Sequence, residues 1–238
     1  MTKWKMMITI MIIALIPVMY FNFFAEESKS QSQKRVIALG DSLTYGYGDK
    51  EDEGYIGRLE QKVNEKETEE SYRFQNLGIP GQKSSGLQKQ LLKPSVAEDL
   101  TEADLFIVNI GTNDLIKSNG GDLVPLHHDK IMEAKKEYVD HFNFILDTLE
   151  ATNEDADILV IGLYNPYPDR DSDEIEAYVD DWNQTIMNEV KKHGNVKYVS
   201  TNPLFKGKKK ESVFHDSLHP NGKGYEIMAK QIMKTYSF

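Results

Sequence analysis

The sequence predicts an α/β protein in which helices cover both faces of one parallel, five-stranded sheet. Three observations predict it. From residue 35 onward, short β-branched runs alternate with amphipathic stretches, the pattern of strands joined by crossover helices. The run LFIVNI is almost continuously apolar, as a strand buried on both sides must be. The runs end in GDSLT, NLGIPG, NIGTND and YNPY, so polar and turn residues gather along one sheet edge. Open parallel sheets bind ligands there, outside the carboxyl ends of their strands.

The chain starts with MTKWKMMITIMIIALIPVMYFNFFAEESKS, where Lys3 and Lys5 precede the uncharged stretch 6–24. At roughly 20 residues that stretch matches the length of a bilayer-spanning helix. A cleaved signal peptide has a shorter apolar region and small residues before the cut. Here Ala25 follows Phe23 and Phe24, so residues 1–25 read as an uncleaved membrane anchor, with a cleaved signal segment as the alternative. Positive residues before the span place the N-terminus in the cytoplasm and the remainder outside, tethered to the cell membrane, or secreted if the segment is cut. Residues 26–34 are polar and lack aromatics, a tether. Residues 35–238 form the folded domain.

Strands are expected at 35–40, 72–78, 104–111, 157–164 and 196–200, and helices at 54–67, 130–152 and 174–194. With 238 residues and 39% apolar content, the chain suits one well-buried core rather than two large domains. A net charge of -10 argues against nucleic acid as a partner, and the basic cluster KGKKKE at 206–211 reads as a solvated loop. The chain has no cysteine, which excludes disulfides, thiolate zinc sites and a cysteine nucleophile.

Ser42 sits where the first strand turns into a helix. A hydroxyl there either caps the helix, its commoner use, or attacks a substrate. A nucleophilic serine needs a base to take its proton, and the base needs a carboxylate to hold its tautomer. FHDSLHPNGKG supplies that pair, with Asp216 three residues before His219. His215 is a poorer base because Asp216 is immediately adjacent and so points elsewhere. His127 and His128 are neighbours, which rarely converge on one ion, and no spaced histidine or cysteine completes a site, so no metal is expected. The oxyanion formed by attack on a carbonyl needs donors. Asn113, read as ending the third strand, offers an amide, and Gly81 can bring a backbone N–H close to a ligand because it has no Cβ. Each also suits an ordinary turn.

These residues together resemble the SGNH/GDSL hydrolase family in four ordered blocks: Gly40-Asp41-Ser42-Leu43, Asn76 through Gly81, Gly111-Thr112-Asn113-Asp114, and Asp216 through Pro220. The resemblance runs from Val36 to about Ala229. It implies a three-layer α/β/α, flavodoxin-like sandwich, with Ser42 as nucleophile, His219 as base and Asp216 as its orienting acid. It also implies an oxyanion hole made by the Ser42 and Gly81 backbone N–H groups and the Asn113 amide. The segment 115–130 looks like a variable loop. An α/β-hydrolase elbow, Gly-x-Ser-x-Gly, is excluded because Thr44 stands where its second glycine would be. A phosphate or small-ligand binding module on a flavodoxin-like sheet leaves Asp216 and His219 without a purpose. The expected reaction is hydrolysis of an ester or thioester through an acyl-serine, with no cofactor. Tyr45, Tyr47, Tyr164 and Tyr167 near the strand ends mildly favour acyl chains among lipid, acylated wall polymer and acetylated sugar substrates.

Overall fold

The apolar runs become five strands, β1 (Ser32–Gly40), β2 (Glu70–Asn76), β3 (Leu105–Asn109), β4 (Asp157–Ile161) and β5 (Val196–Val199). The sheet order is β2-β1-β3-β4-β5, all parallel, with Ile37 opposite Phe106 and Gly40 opposite Asn109. The computed structural model describes residues 32–51, 53–66, 70–167 and 173–238, and the apolar stretch 6–24 lies outside them. Among the described residues no helix is long and apolar enough to cross a membrane. Residues Gln33–Phe238 form one compact unit.

Helices α1 (Ser42–Tyr45) and α2 (Gly54–Asn64) follow β1; α3 (Ser84–Leu91) and α4 (Pro94–Leu100) follow β2. After β3 come α5 (Thr112–Ser118) and α6 (His128–Thr152), and α7 (Asp173–Val190) precedes β5. Two short helices, α8 (Asn202–Phe205) and α9 (Lys210–Val213), lead to the closing helix α10 (Gly222–Thr235). The long helix α6 buries Ile131, Tyr138, Phe142, Ile145, Leu146 and Leu149. Their spacing of mostly three, four or seven makes one apolar stripe.

Successive strand residues point to opposite faces, so the sheet has two cores. Ile37, Leu39, Phe106 and Val108 pack with Leu87 of α3, Phe142 of α6 and Trp182 of α7. Val36, Ala38, Leu105 and Ile107 pack with Tyr55 and Leu59 of α2 and Tyr225 and Met228 of α10. The chain therefore leaves β1 toward one face and β3 toward the other. Because these two strands are neighbours, their departing loops part and leave a crevice at the top of the sheet.

Most element ends shift by a few residues from the sequence expectation, and three of the differences have a visible cause. β1 starts at Ser32 rather than 35, because Lys34 pairs with Asp104 just before β3 and Arg35 with Asp99 in α4, and these pairs hold the incoming chain against the sheet. β3 ends at Asn109, since Gly111 adopts φ 123° and turns the backbone out of the extended region. Asn113 consequently lies in the first turn of α5 and not at the end of a strand. The expected loop at 115–130 shrinks to the stretch between α5 and α6, because Leu115 and Ile116 are apolar enough to be buried as helix.

Candidate active site

At the end of β1 the N-cap of α1 is Asp41, whose Oδ1 accepts the Leu43 N–H at 2.9 Å. The carboxylate does the capping. Ser42 is the first helical residue, and its hydroxyl makes no cap bond. It meets His219 instead, with Oγ 2.9 Å from Nε2.

His219 and Asp216 lie in the loop between α9 and α10. His219 Nδ1 donates to Asp216 Oδ2 at 2.8 Å, which fixes the tautomer and leaves Nε2 as acceptor for the Ser42 O–H. The other carboxylate oxygen, Oδ1, accepts the backbone N–H groups of Leu218 at 2.8 Å and His219 at 2.7 Å. One aspartate thus folds the loop and aims the imidazole. Partial burial works against its charge, but the two N–H groups and the imidazole outweigh that and hold its carboxyl below the ordinary value.

The loop is fixed from three further sides. Phe214 and Pro220 bridge its ends, the buried Tyr164 donates its hydroxyl to Leu218 O at 2.8 Å, and Lys210 Nζ donates to Ser217 O at 3.1 Å. Tyr47 lays its ring 4.5 Å from that of His219, and the Tyr225 hydroxyl holds Tyr47 O at 2.7 Å.

Asn113 Nδ2 donates to Asp41 Oδ2 at 3.0 Å, across the crevice between β1 and β3. An ionised Asp41 can only accept, so in that state the contact fixes which end of the Asn113 amide carries hydrogens and leaves the second N–H for a ligand. Asp41 is fully buried, and that burial pushes its carboxyl up to about 7 although Leu43 N and Asn113 favour the ionised form.

Gly81 lies in the loop after β2, with its carbonyl held by Lys117 Nζ of α5 at 2.6 Å. The same loop runs along the end of β1, where Ile79 N donates to Gly40 O at 3.0 Å and Asn76 Nδ2 to Thr44 O at 2.7 Å. Gly78 permits this approach, since a Cβ there would stand 2.5 Å from Tyr45 N. The structure therefore gathers Ser42, His219 and Asp216 into one hydrogen-bonded chain, sets Asn113 beside it through Asp41, and places Gly81 on the loop packed against α1.

His127 is the N-cap residue of α6, and His128 bonds the Tyr178 hydroxyl through Nδ1 at 2.7 Å, so the pair does not converge. Among the described residues one group of metal-ligand type occurs, Asp147, Glu150 and His193, and it includes none of the site residues. The four tyrosines divide. Tyr45 and Tyr47 are exposed and line an open cleft of about 670 Å³ with Lys50, Asn76 and His215. Tyr167 is half-buried, and Tyr164 is packed between Phe205 and Phe214, which removes it from any substrate surface. Sequence reasoning missed Asp41 as the partner of Asn113, and Tyr164 as a support of the His219 loop. The signal for Asp41 was its place beside Ser42; for Tyr164 there was none.

The family model described as GDSL-like Lipase/Acylhydrolase matches residues 38–227. The uncharacterized protein YpmR of Bacillus subtilis is 31% identical over 212 residues, covering 87% of this chain and 83% of the relative. The spore germination lipase LipC of Bacillus licheniformis is 25% identical over 202 residues, 82% of this chain and 92% of the relative. Among solved structures, the lipase Lip_vut3 from a goat rumen metagenome superposes with a TM-score of 0.72 at 24% identity, covering 85% of this chain and 97% of that one. The acetylxylan esterase Axe2 of Geobacillus stearothermophilus gives 0.70 at 18% identity, covering 87% and 95%. These two show a shared fold.

Proposed function

This chain belongs to the GDSL-like lipase/acylhydrolase family, and from that premise we propose that it is a serine esterase working through an acyl-serine intermediate outside the cytoplasmic membrane. It is a carboxylic ester hydrolase of the GDSL type. The observation that carries the mechanism is the chain of contacts from Ser42 Oγ to His219 Nε2, 2.9 Å, and from His219 Nδ1 to Asp216, 2.8 Å.

His219 Nε2 takes the hydroxyl proton as Ser42 Oγ bonds to the ester carbonyl carbon, and the carbonyl π electrons move onto its oxygen. The oxyanion is received by the N–H groups of Ser42 and Gly81 and by the free N–H of Asn113. Collapse breaks the bond to the alcohol oxygen, which leaves with the proton from His219. Water then enters and bonds to the acyl carbon as it gives a proton to the same nitrogen; collapse breaks the bond to Ser42 Oγ, which takes that proton back from His219, and the acyl group leaves as a carboxylic acid. Asp216 stays ionised throughout and balances the imidazolium.

For the location, the support is the uncharged stretch 6–24 behind Lys3 and Lys5. For the substrate, the open cleft beside Tyr47 suits an acyl ester, and a panel of esters of graded chain length set beside acetylated glycans would define the class. The mechanism is tested by Ser42→Ala. We expect loss of ester turnover and of fluorophosphonate labelling, with the fold retained because Asp41 and not Ser42 caps α1. Turnover at the native rate by the folded variant would exclude Ser42 as nucleophile.

A further inference from the structure

A second serine, histidine and aspartate meet behind the site. Ser84 Oγ lies 2.6 Å from Asp114 Oδ1, Ser84 N donates to both Asp114 oxygens at 2.9 and 3.2 Å, and His141 Nδ1 is 3.2 Å from Ser84 Oγ. Ser84 has no exposed surface, and Asp114 is buried. The order of bonds differs from that at Ser42. Here the hydroxyl proton goes to the carboxylate, so His141 faces the serine as a donor. No base is left to activate Ser84, and no substrate reaches it.

What the group joins is more telling. Asp114 follows Asn113 on α5, while Ser84 opens α3 three residues after Gly81. Helix α3 has no side-chain cap of its own, and the Asp114 carboxylate accepts its first N–H. One turn further along α5, Lys117 holds Gly81 O at 2.6 Å. Upstream, Ile79 N is bound to Gly40 O. The loop carrying Gly81 is therefore tied before Gly81 to β1, and at and after it to the helix that carries Asn113.

We propose that Asp114 is a positioning residue of the oxyanion hole: by docking the start of α3 onto α5, with Ser84 and His141 completing its bonds, it sets the spacing between the Gly81 N–H and the Asn113 amide. This rests on the acyl-serine reading above. Donors serve an oxyanion only where they point at its final position, and a displacement of about 1 Å can cost about 10²-fold.

The test is a double-mutant cycle in kcat and KM on a short-chain p-nitrophenyl ester, with Asp114→Asn, Asn113→Ala and their combination. We expect Asp114→Asn to lower kcat by about 10- to 100-fold with KM little changed, to slow fluorophosphonate labelling of Ser42 in parallel, and to add little once Asn113 is already alanine. Ser84→Ala, which keeps the backbone N–H bonds to Asp114, should give a smaller loss of the same kind and serves if Asp114→Asn does not fold. Normal sensitivity to Asn113→Ala, with kcat untouched by Asp114→Asn and Ser84→Ala or with effects that simply multiply, would overturn the positioning role alone. An Asn113→Ala enzyme with native kcat would overturn the oxyanion hole beneath it.

Discussion

Asp41 carries two tasks with one carboxylate: Oδ1 caps the helix that bears Ser42, and Oδ2 orients the amide of Asn113. Its burial pushes it up to about 7, well above the value of about 3.9 expected in the unfolded chain. Between those values the folded protein binds a proton that the unfolded chain has released. Stability from this group is therefore greatest below about pH 4, falls as pH rises to about 7 and is flat above. The drop is on the order of a few kcal/mol. Asp41→Asn should remove it, so denaturant titrations across this window would show a flatter profile in the variant; parallel profiles would assign the pH dependence elsewhere. The same change puts an amide NH₂ against Asn113 Nδ2, which turns the Asn113 carbonyl toward the hole. Loss of one donor costs about 10²–10³ in rate, and we expect kcat of Asp41→Asn to fall within that range.

The loop between α9 and α10 is the element on which His219 depends, and its shape comes from bonds to its carbonyls as much as from Asp216. Tyr164, three residues past β4, contributes the hydroxyl on Leu218 O while its ring packs against Phe205 and Phe214. Tyr164→Phe keeps the packing and deletes the bond. A net loss of about 0.5–1.5 kcal/mol in stability is expected, together with a fall in kcat as His219 loses definition. KM should not change with acyl chain length. A chain-length-dependent KM would mean that Tyr164 touches substrate after all.

The proposed catalytic groups come from both ends of the folded region, Ser42 from the first strand–helix turn and His219 from the loop before α10. Among the described residues, the contacts that position them lie within Gln33–Phe238, one compact unit. A chain of residues 32–238 should therefore be soluble, fold, and keep the kcat of the full-length enzyme. Full-length protein should stay with the membrane fraction through an alkaline wash, if residues 6–24 span the bilayer uncleaved. A mature chain beginning near Glu26 in the medium would show a cleaved signal instead.

Much of this protein was determined by local sequence. Strands and helices were legible because apolar periodicity is a property of neighbouring residues, and the five runs became the five strands with only their ends shifted. The meeting of Ser42, His219 and Asp216 was legible because the proposed acyl transfer calls for those chemical types, and the latter two lie three residues apart. What only the tertiary structure decided are contacts between distant segments: the strand order that opens the crevice between β1 and β3, Asp41 against Asn113 across 72 residues, Ser84 against Asp114, and Tyr164 under Leu218. No local pattern encodes these, because a buried polar group finds its partner only after the apolar faces have packed and excluded the water that would otherwise satisfy it.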